Sequence, residues 1–207
     1  MAEDAFHCND ETYPVCSLYY DTNDGALIRR SLEKPVYKEK LRLRAYGTPS
    51  TNGLVYIEIK KKFSGAVSKR RCALGLREAD AFLAGGVLLS AGPEMNMQVL
   101  REAQYMLTRR QLQPTVYICC RRRAYTGTDD PRLRITFDKE TLTRRHDLRL
   151  EAGMYGTPLL PEGQWIMEIK TPGGMPLWLS HILTREKIYP RSFSKYGAEA
   201  RRTSANP

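Results

Sequence analysis

The chain has 207 residues, with 33 Lys and Arg against 23 Asp and Glu and a formal net charge of +10. That length fits one large domain or two small ones, and 42% apolar residues suffice for a core. The charge calls for an anionic partner, whether nucleic acid, phosphorylated metabolite, polyphosphate or anionic membrane.

No apolar run approaches the roughly 20 residues of a membrane-spanning helix. The acidic start Met1-Ala-Glu-Asp lacks the apolar segment of a signal peptide. Five cysteines, Cys8, Cys16, Cys72, Cys119 and Cys120, show no paired CxxC spacing. They read as reduced thiols of a cytoplasmic protein and speak against a zinc site.

Residues 1–12 are polar and read as irregular. Tyr13 to Thr22 reads as a strand rich in aromatic and β-branched residues. Asn23-Asp24-Gly25 turns the chain into a short helix over Ala26 to Leu32, and Asp21 is assigned to that turn rather than to chemistry. Lys40 to Tyr46 and Tyr56 to Lys62 alternate charged and apolar residues with period two. The turn-formers Gly47 to Gly53 lie between them, so the pair is an antiparallel hairpin. One of its faces carries Lys40, Arg42, Arg44, Glu58, Lys60 and Lys62; the other carries Leu41, Leu43, Ile57 and Ile59.

Another strand is expected over Lys69 to Leu76, then helical stretches over Arg77 to Gly85 and Asn96 to Arg110. In the second helix Met97, Leu100, Ala103, Met106 and Leu107 form an apolar stripe. Strands follow over Thr115 to Tyr125, Arg132 to Asp138 and Trp165 to Lys170, and His146 to Leu150 reads as a segment pairing with its neighbours. Pro176 to Glu186 is a helix with proline in its first turn. The tail 198–207 reads as disordered, and no interdomain linker stands out. His7, His146 and His181 lie too far apart for a metal or triad spacing and read as structural. No P-loop or Rossmann glycine pattern occurs.

The later strands repeat the charged alternation. Arg132, Arg134, Thr136 and Asp138 oppose Leu133, Ile135 and Phe137; Glu168 and Lys170 oppose Met167 and Ile169; Arg121-Arg122-Arg123 puts arginine on both faces. Such faces lie in solvent or curl inward around a wet, cationic lumen, and periodicity leaves both open. A lumen of that kind suits a polyanion with a metal ion. Few aromatics interleave with these cations, which weighs against a specific nucleic-acid partner.

Seven short segments occur together: Ser17-Leu-Tyr-Tyr-Asp-Thr22, Lys40-Leu-Arg-Leu-Arg-Ala-Tyr-Gly47, Glu58-Ile-Lys60, Arg122-Arg-Ala-Tyr125, Leu133-Arg-Ile135, Glu168-Ile-Lys170 and Phe193-Ser-Lys-Tyr196. In order and approximate spacing they resemble the VTC domain, the polyphosphate polymerase domain of vacuolar transporter chaperones. None is specific alone. Together they carry a resemblance that extends over residues 13–197.

The resemblance implies the triphosphate tunnel metalloenzyme fold, α+β, an antiparallel β-barrel with a charged lumen and helices packed outside. It implies that Arg42, Arg44, Lys60, Arg122 and Arg134 act on the transferred phosphoryl group. Lys69, Lys170 and Lys195 would join them in binding phosphates. Glu168 would be the metal carboxylate, with Glu58 a second candidate, for Mn²⁺ or Mg²⁺. ATP and polyphosphate would be substrates, and a membrane partner protein would receive the polymer.

The same superfamily includes tripolyphosphatases and nucleoside triphosphatases, and a module binding polyphosphate or inositol polyphosphate would share the lumen. The family also has a strand with its own basic residue before the position of Ser17–Thr22. Only about a dozen polar residues stand there here, so that strand is expected to be missing. Ser192 occupies a position where the family's eukaryotic pattern has a lysine.

Overall fold

The structure is a computed structural model that describes residues 1–3, 12–85 and 95–205. Among the described residues nine strands form one antiparallel sheet. In chain order they are β1 (Ala2–Glu3), β2 (Tyr13–Asp21), β3 (Tyr37–Tyr46), β4 (Leu54–Phe63), β5 (Ala66–Gly75), β6 (Gln113–Thr126), β7 (Arg134–Arg144), β8 (Thr157–Pro158) and β9 (Ile166–Lys170). The helices are α1 (Ala26–Leu32), α2 (Leu76–Gly85), α3 (Met97–Arg110), α4 (Leu177–Arg185) and α5 (Lys195–Ala205). The sheet runs β5-β4-β3-β2-β6-β7, with β8 and β9 on the far side of β7 and β1 extending the line of β2 along β6.

The register sorts the period-two strands onto two faces. Arg42 pairs with Glu58 and Tyr19, Lys40 with Lys60, and Lys60 with Lys69. These side chains therefore share one face, because directly opposed residues in a ladder point the same way. The opposite face carries Leu41, Leu43, Ile57 and Ile59, each at most 1% exposed. It packs against Phe82 of α2 and Val99, Leu100, Ala103 and Met106 of α3. The apolar faces thus look outward to helices and the charged faces look inward. Burying each large aliphatic side chain there contributes about 1.5–3 kcal/mol, which is why α2 and α3 sit on that side.

In α3, Asn96 accepts a hydrogen bond from the Val99 amide at 3.2 Å as N-cap. Met97, expected in the apolar stripe, is exposed at the first turn, and Val99 fills the core position. Glu102, from the same helix, pairs with Lys61 at 2.5 Å and with Arg70, clipping α3 to the outer face of β4 and β5.

A bulge sets the phase of β7. Between Cys119 and Arg121 the register with β6 slips by one residue, and Glu140 takes a left-handed φ of 49°. On one side of the slip Thr141 and Thr143 face inward; on the other Asp138, Thr136 and Arg134 do. Without it Lys139 would face inward in place of Asp138.

Two expectations are corrected. His146–Leu150 does not join the sheet. Arg144, 3% exposed, donates to the carbonyls of Asp147, Arg149, Gly153 and Tyr155 and lies over the Tyr117 ring at 3.5 Å. The buried guanidinium satisfies these loop carbonyls in place of a ladder.

The tail is helical, not disordered, through residue 205. Glu199, 2% exposed, takes a bidentate hydrogen bond from Arg145 at 2.8 and 2.9 Å, and Arg202 donates to Thr143 Oγ1 at 2.6 Å. Residues 4–11 of the expected irregular N-terminus, with His7 and Cys8, lie outside the described residues, as do 206–207. Ala2–Glu3 forms a short strand against Tyr125 and Thr126.

Candidate functional site

The inward face carries two buried carboxylates, each gathering cations. The first is Glu58, 1% exposed. Its Oε2 accepts from Arg42 Nε at 2.7 Å and lies 3.8 Å from Arg44 Nε, and its Oε1 lies 2.6 Å from Lys69 Nζ. Arg44 also donates to Ser17 Oγ at 3.2 Å, and Arg42 donates to the Tyr19 hydroxyl at 3.1 Å. Burial would raise the Glu58 carboxyl, but Arg42, Arg44 and Lys69 hold it down at about 2. Burial likewise opposes ionisation of Tyr19, yet Arg42, Arg44 and Lys40 bring its phenol down to about 8. Burial, together with Arg42, lowers Lys60, and burial lowers Lys40. One acid therefore serves a crowd of bases.

The second carboxylate is Asp138, 3% exposed. Arg122 donates to it twice, Nε to Oδ1 at 2.6 Å and Nη2 to Oδ2 at 2.8 Å. Lys195, from the first turn of α5, donates to Oδ2 and to Cys120 Sγ, the latter at 3.1 Å. Burial would raise Asp138, but Arg122 and Lys195 bring it down to about 2.

The turn that presents Lys195 is itself anchored. The Tyr196 ring stacks on Tyr19 at 4.6 Å, and its hydroxyl donates to Asp21 Oδ2 at 2.8 Å. Asp21 also accepts from the Leu27 and Ile28 amides at 2.8 and 2.9 Å, so it caps α1 and ties it to α5. The structure thus keeps Asp21 in a structural role. Lys40 donates to Ser194 Oγ at 3.2 Å, and α5 lies across one end of the inward face.

The sheet is strongly curled. From β4 to β9 there are five strand spacings of about 4.8 Å, so a flat sheet would hold Lys60 about 24 Å from Glu168. Instead Glu168 and Lys170 act on the ionisation of Lys60, and Lys60 and Arg122 act on that of Glu168. The charged face is thus the inside of a trough whose rims approach each other. Among the described residues the ladder does not close between β5 and β9.

Glu168 is the open carboxylate of this interior. Its side chain is 52% exposed, and its ion pair with Lys170 is loose at 3.4 Å. Burial opposes its ionisation, while Lys170, Arg122 and Lys60 lower its pKa. Among the described residues no group of three or more His, Cys, Asp or Glu side chains is arranged to hold a metal. Mg²⁺ and Mn²⁺ take oxygen ligands, and Mg²⁺ commonly uses one or two carboxylates, waters and substrate phosphates. Glu168 fits that donor set. Glu58 fits it less well, since cations already engage both its oxygens.

The eight basic residues assigned to phosphates from sequence all reach this interior, whereas Arg132, expected on the charged face, precedes β7 and pairs with Asp130 in the turn. Arg42, Arg44, Lys60 and Lys69 stand on β3–β5; Arg122, Arg134 and Lys170 stand on β6, β7 and β9; Lys195 reaches in from α5. Of the arginine triplet only Arg122 faces inward, and Arg123 pairs with Glu3 outside at 2.7 Å. Sequence reasoning missed Asp138 and Tyr19 as members of the site. The position of Asp138 on a charged face was visible but its partners were not, and Tyr19 joins that face only through its register with Arg42.

A curled antiparallel sheet with a cationic interior and helices outside defines the triphosphate tunnel class of fold. The chain belongs to the VTC domain family, whose model matches residues 2–203. Vacuolar transporter chaperone complex subunit 4 of Trypanosoma brucei is 29% identical over 168 residues, and that of Trypanosoma cruzi 27% over 162. These matches take in 69% and 66% of this chain but only 20% of each relative. A crystal structure of a Bacillus halodurans protein named as an adenylate cyclase superposes with a TM-score of 0.54 at 14% identity. It covers 90% of this chain and 81% of its own, a likeness of fold.

Proposed function

We propose that this domain is a metal-dependent polyphosphate polymerase that transfers the γ-phosphate of ATP to a growing polyphosphate chain. One observation carries the reading: lysines and arginines from six strands and α5 converge on one inward-facing trough where they outnumber Glu58, Asp138 and Glu168. A cationic excess inside a curled sheet is stable only beside concentrated negative charge.

In the reaction a terminal oxygen of the chain attacks the γ-phosphorus. The bond from that phosphorus to the β–γ bridging oxygen breaks, and ADP leaves with the electron pair. Arg42, Arg44, Lys60, Arg122 and Arg134 would align the two anions and offset charge as it shifts, with Lys69, Lys170 and Lys195 binding neighbouring phosphates. Glu168 would hold the divalent ion, which supplies charge neutralisation on the bound phosphates.

Cys16, Cys72, Cys119 and Cys120 are free thiols, which supports a reducing, cytoplasmic setting. Among the described residues no helix is long and apolar enough to cross a membrane. The trypanosome relatives are named as subunits of a complex, which supports a protein partner here too.

The test is incubation of the full chain with ATP and Mn²⁺. Long-chain polyphosphate together with ADP is expected, lost in Arg42→Ala and Arg134→Ala. Orthophosphate without polymer would replace the polymerase by a triphosphatase of the same fold. Tripolyphosphate binding unchanged in both variants would overturn the assignment of the lumen.

A further inference from the structure

Helix α4 is apolar on two sides, although its packing uses one. Leu179, 4% exposed, and Leu183 pack against Leu133, just before β7, and Ile135 on the outer face of that strand. At 100° per residue, Leu177, His181 and Arg185 fall on the opposite side, and Trp178 and Ile182 form the flank beside them. There Leu177 is 76% exposed, Trp178 48% and Ile182 40%. The segment after the helix continues the surface with exposed Ile188 and Tyr189. A solvated helix face is ordinarily polar, and a clustered apolar one marks a contact surface.

The charges around the patch select its partner. Arg185, Lys187 and Arg191 border it, and the single acid of that stretch, Glu186, already accepts from Arg185 at 2.8 Å. A second copy would press like charge against like, on chains that each carry +10. Trp178 and Tyr189 combine an apolar body with a polar tip, and lysine and arginine stems reach along apolar surface while their heads stay in water. That combination matches the boundary between acyl chains and anionic headgroups.

We propose that α4 and the segment through Arg191 seat the domain on an anionic lipid surface. The contact is peripheral, set by apolar insertion and by basic residues facing acidic headgroups. The helix lies behind the strands that carry Arg134, Glu168 and Lys170, so seating would bring that rim of the trough next to the bilayer.

The experiment uses the full chain with vesicles of phosphatidylcholine alone and of phosphatidylcholine with phosphatidylserine. Co-sedimentation is expected with the mixed vesicles only. In a Trp165→Phe background, Trp178 fluorescence should shift to the blue on binding. Trp178→Ser with Ile182→Ser should weaken binding by about tenfold or more, with the melting temperature unchanged because both side chains are exposed. Arg185→Glu with Lys187→Glu should weaken it without touching the apolar face.

Arg42→Ala should keep vesicle binding while losing tripolyphosphate, so failure here is distinguishable from failure of the lumen reading. Retained binding in the serine variant, or none by the unaltered chain, overturns the proposal. So does light scattering that shows a dimer dispersed by the serine pair, which would assign the patch to a second copy.

Discussion

The two buried carboxylates solve the same electrostatic problem with different parts of the chain. Glu58 is neutralised within one meander: Arg42 opposes it across β3–β4, Arg44 is two residues further along β3, and Lys69 comes from β5. Asp138 is neutralised by Arg122 on the neighbouring strand and by Lys195 from a helix 57 residues later. The first wall is therefore complete once a hairpin and its next strand have formed. The second is complete only when α5 has docked. The same cationic interior has one half set by local register and one half set by tertiary closure.

The largest effect is expected from Glu58→Ala. It leaves Arg42 and Arg44 buried without their acid. Removing one partner of a buried pair costs about 3–5 kcal/mol, and the low end applies because Lys69 remains partly solvated. Tripolyphosphate should restore more stability to this variant than to the parent, since a polyanion can take over as counter-ion. Equal shifts in thermal melts with and without tripolyphosphate would separate Glu58 from the anion site.

Asp138→Asn should cost about 2–3 kcal/mol, because it weakens charge-assisted bonds while keeping acceptor oxygen. Its distinguishing mark is local. Amide exchange should speed up in α5 far more than in the β3–β4 hairpin, and in Glu58→Ala the order should reverse. Uniform exchange in both variants would erase the contrast between the walls.

A smaller effect attaches to Tyr19, whose phenol titrates at about 8. An anion bound beside Arg42 raises that value, so binding is linked to proton uptake. Affinity for tripolyphosphate should be full below pH 8 and fall as pH rises through it, because the phenolate then competes for the same cations. Calorimetric titrations at pH 7 and pH 9 should show this slope in the parent and its loss in Tyr19→Phe. The smallest expected change is Glu140→Gly, which removes left-handed strain at the bulge and should stabilise by about 1 kcal/mol. Its ion pairs with Arg121 and Lys139 are exposed and contribute little.

The hairpin from Lys40 to Lys62 was legible in sequence, because a two-residue period has one structural solution and the register between its strands follows from the turn. The direction of the charged face was not. Period two divides polar from apolar without saying which side is concave, and the resemblance supplied that choice. The pairing of Asp138 with Lys195 was hidden for a different reason. They meet through a bulge with no glycine to announce it and a helix whose own residues look solvated. The order of α5 rests on Arg145, Thr143 and Asp21, which contact Glu199, Arg202 and Tyr196 from far up the chain. Local composition holds no trace of such partners, and so the tail reads as disordered in sequence.

The slip at Glu140 has a practical consequence for comparing relatives. Odd-numbered positions of β7 point into the trough from 141 to 143, and even-numbered ones do so from 134 to 138. An alignment that carries one parity through the whole strand places Lys139 where the acid belongs and inverts the inferred chemistry of that wall. A homologue shorter by one residue at this point needs no bulge: with residue 140 absent, the counterparts of Lys139 and Asp138 fall opposite Arg121 and Arg122 in an unbroken ladder, and the acid keeps its place.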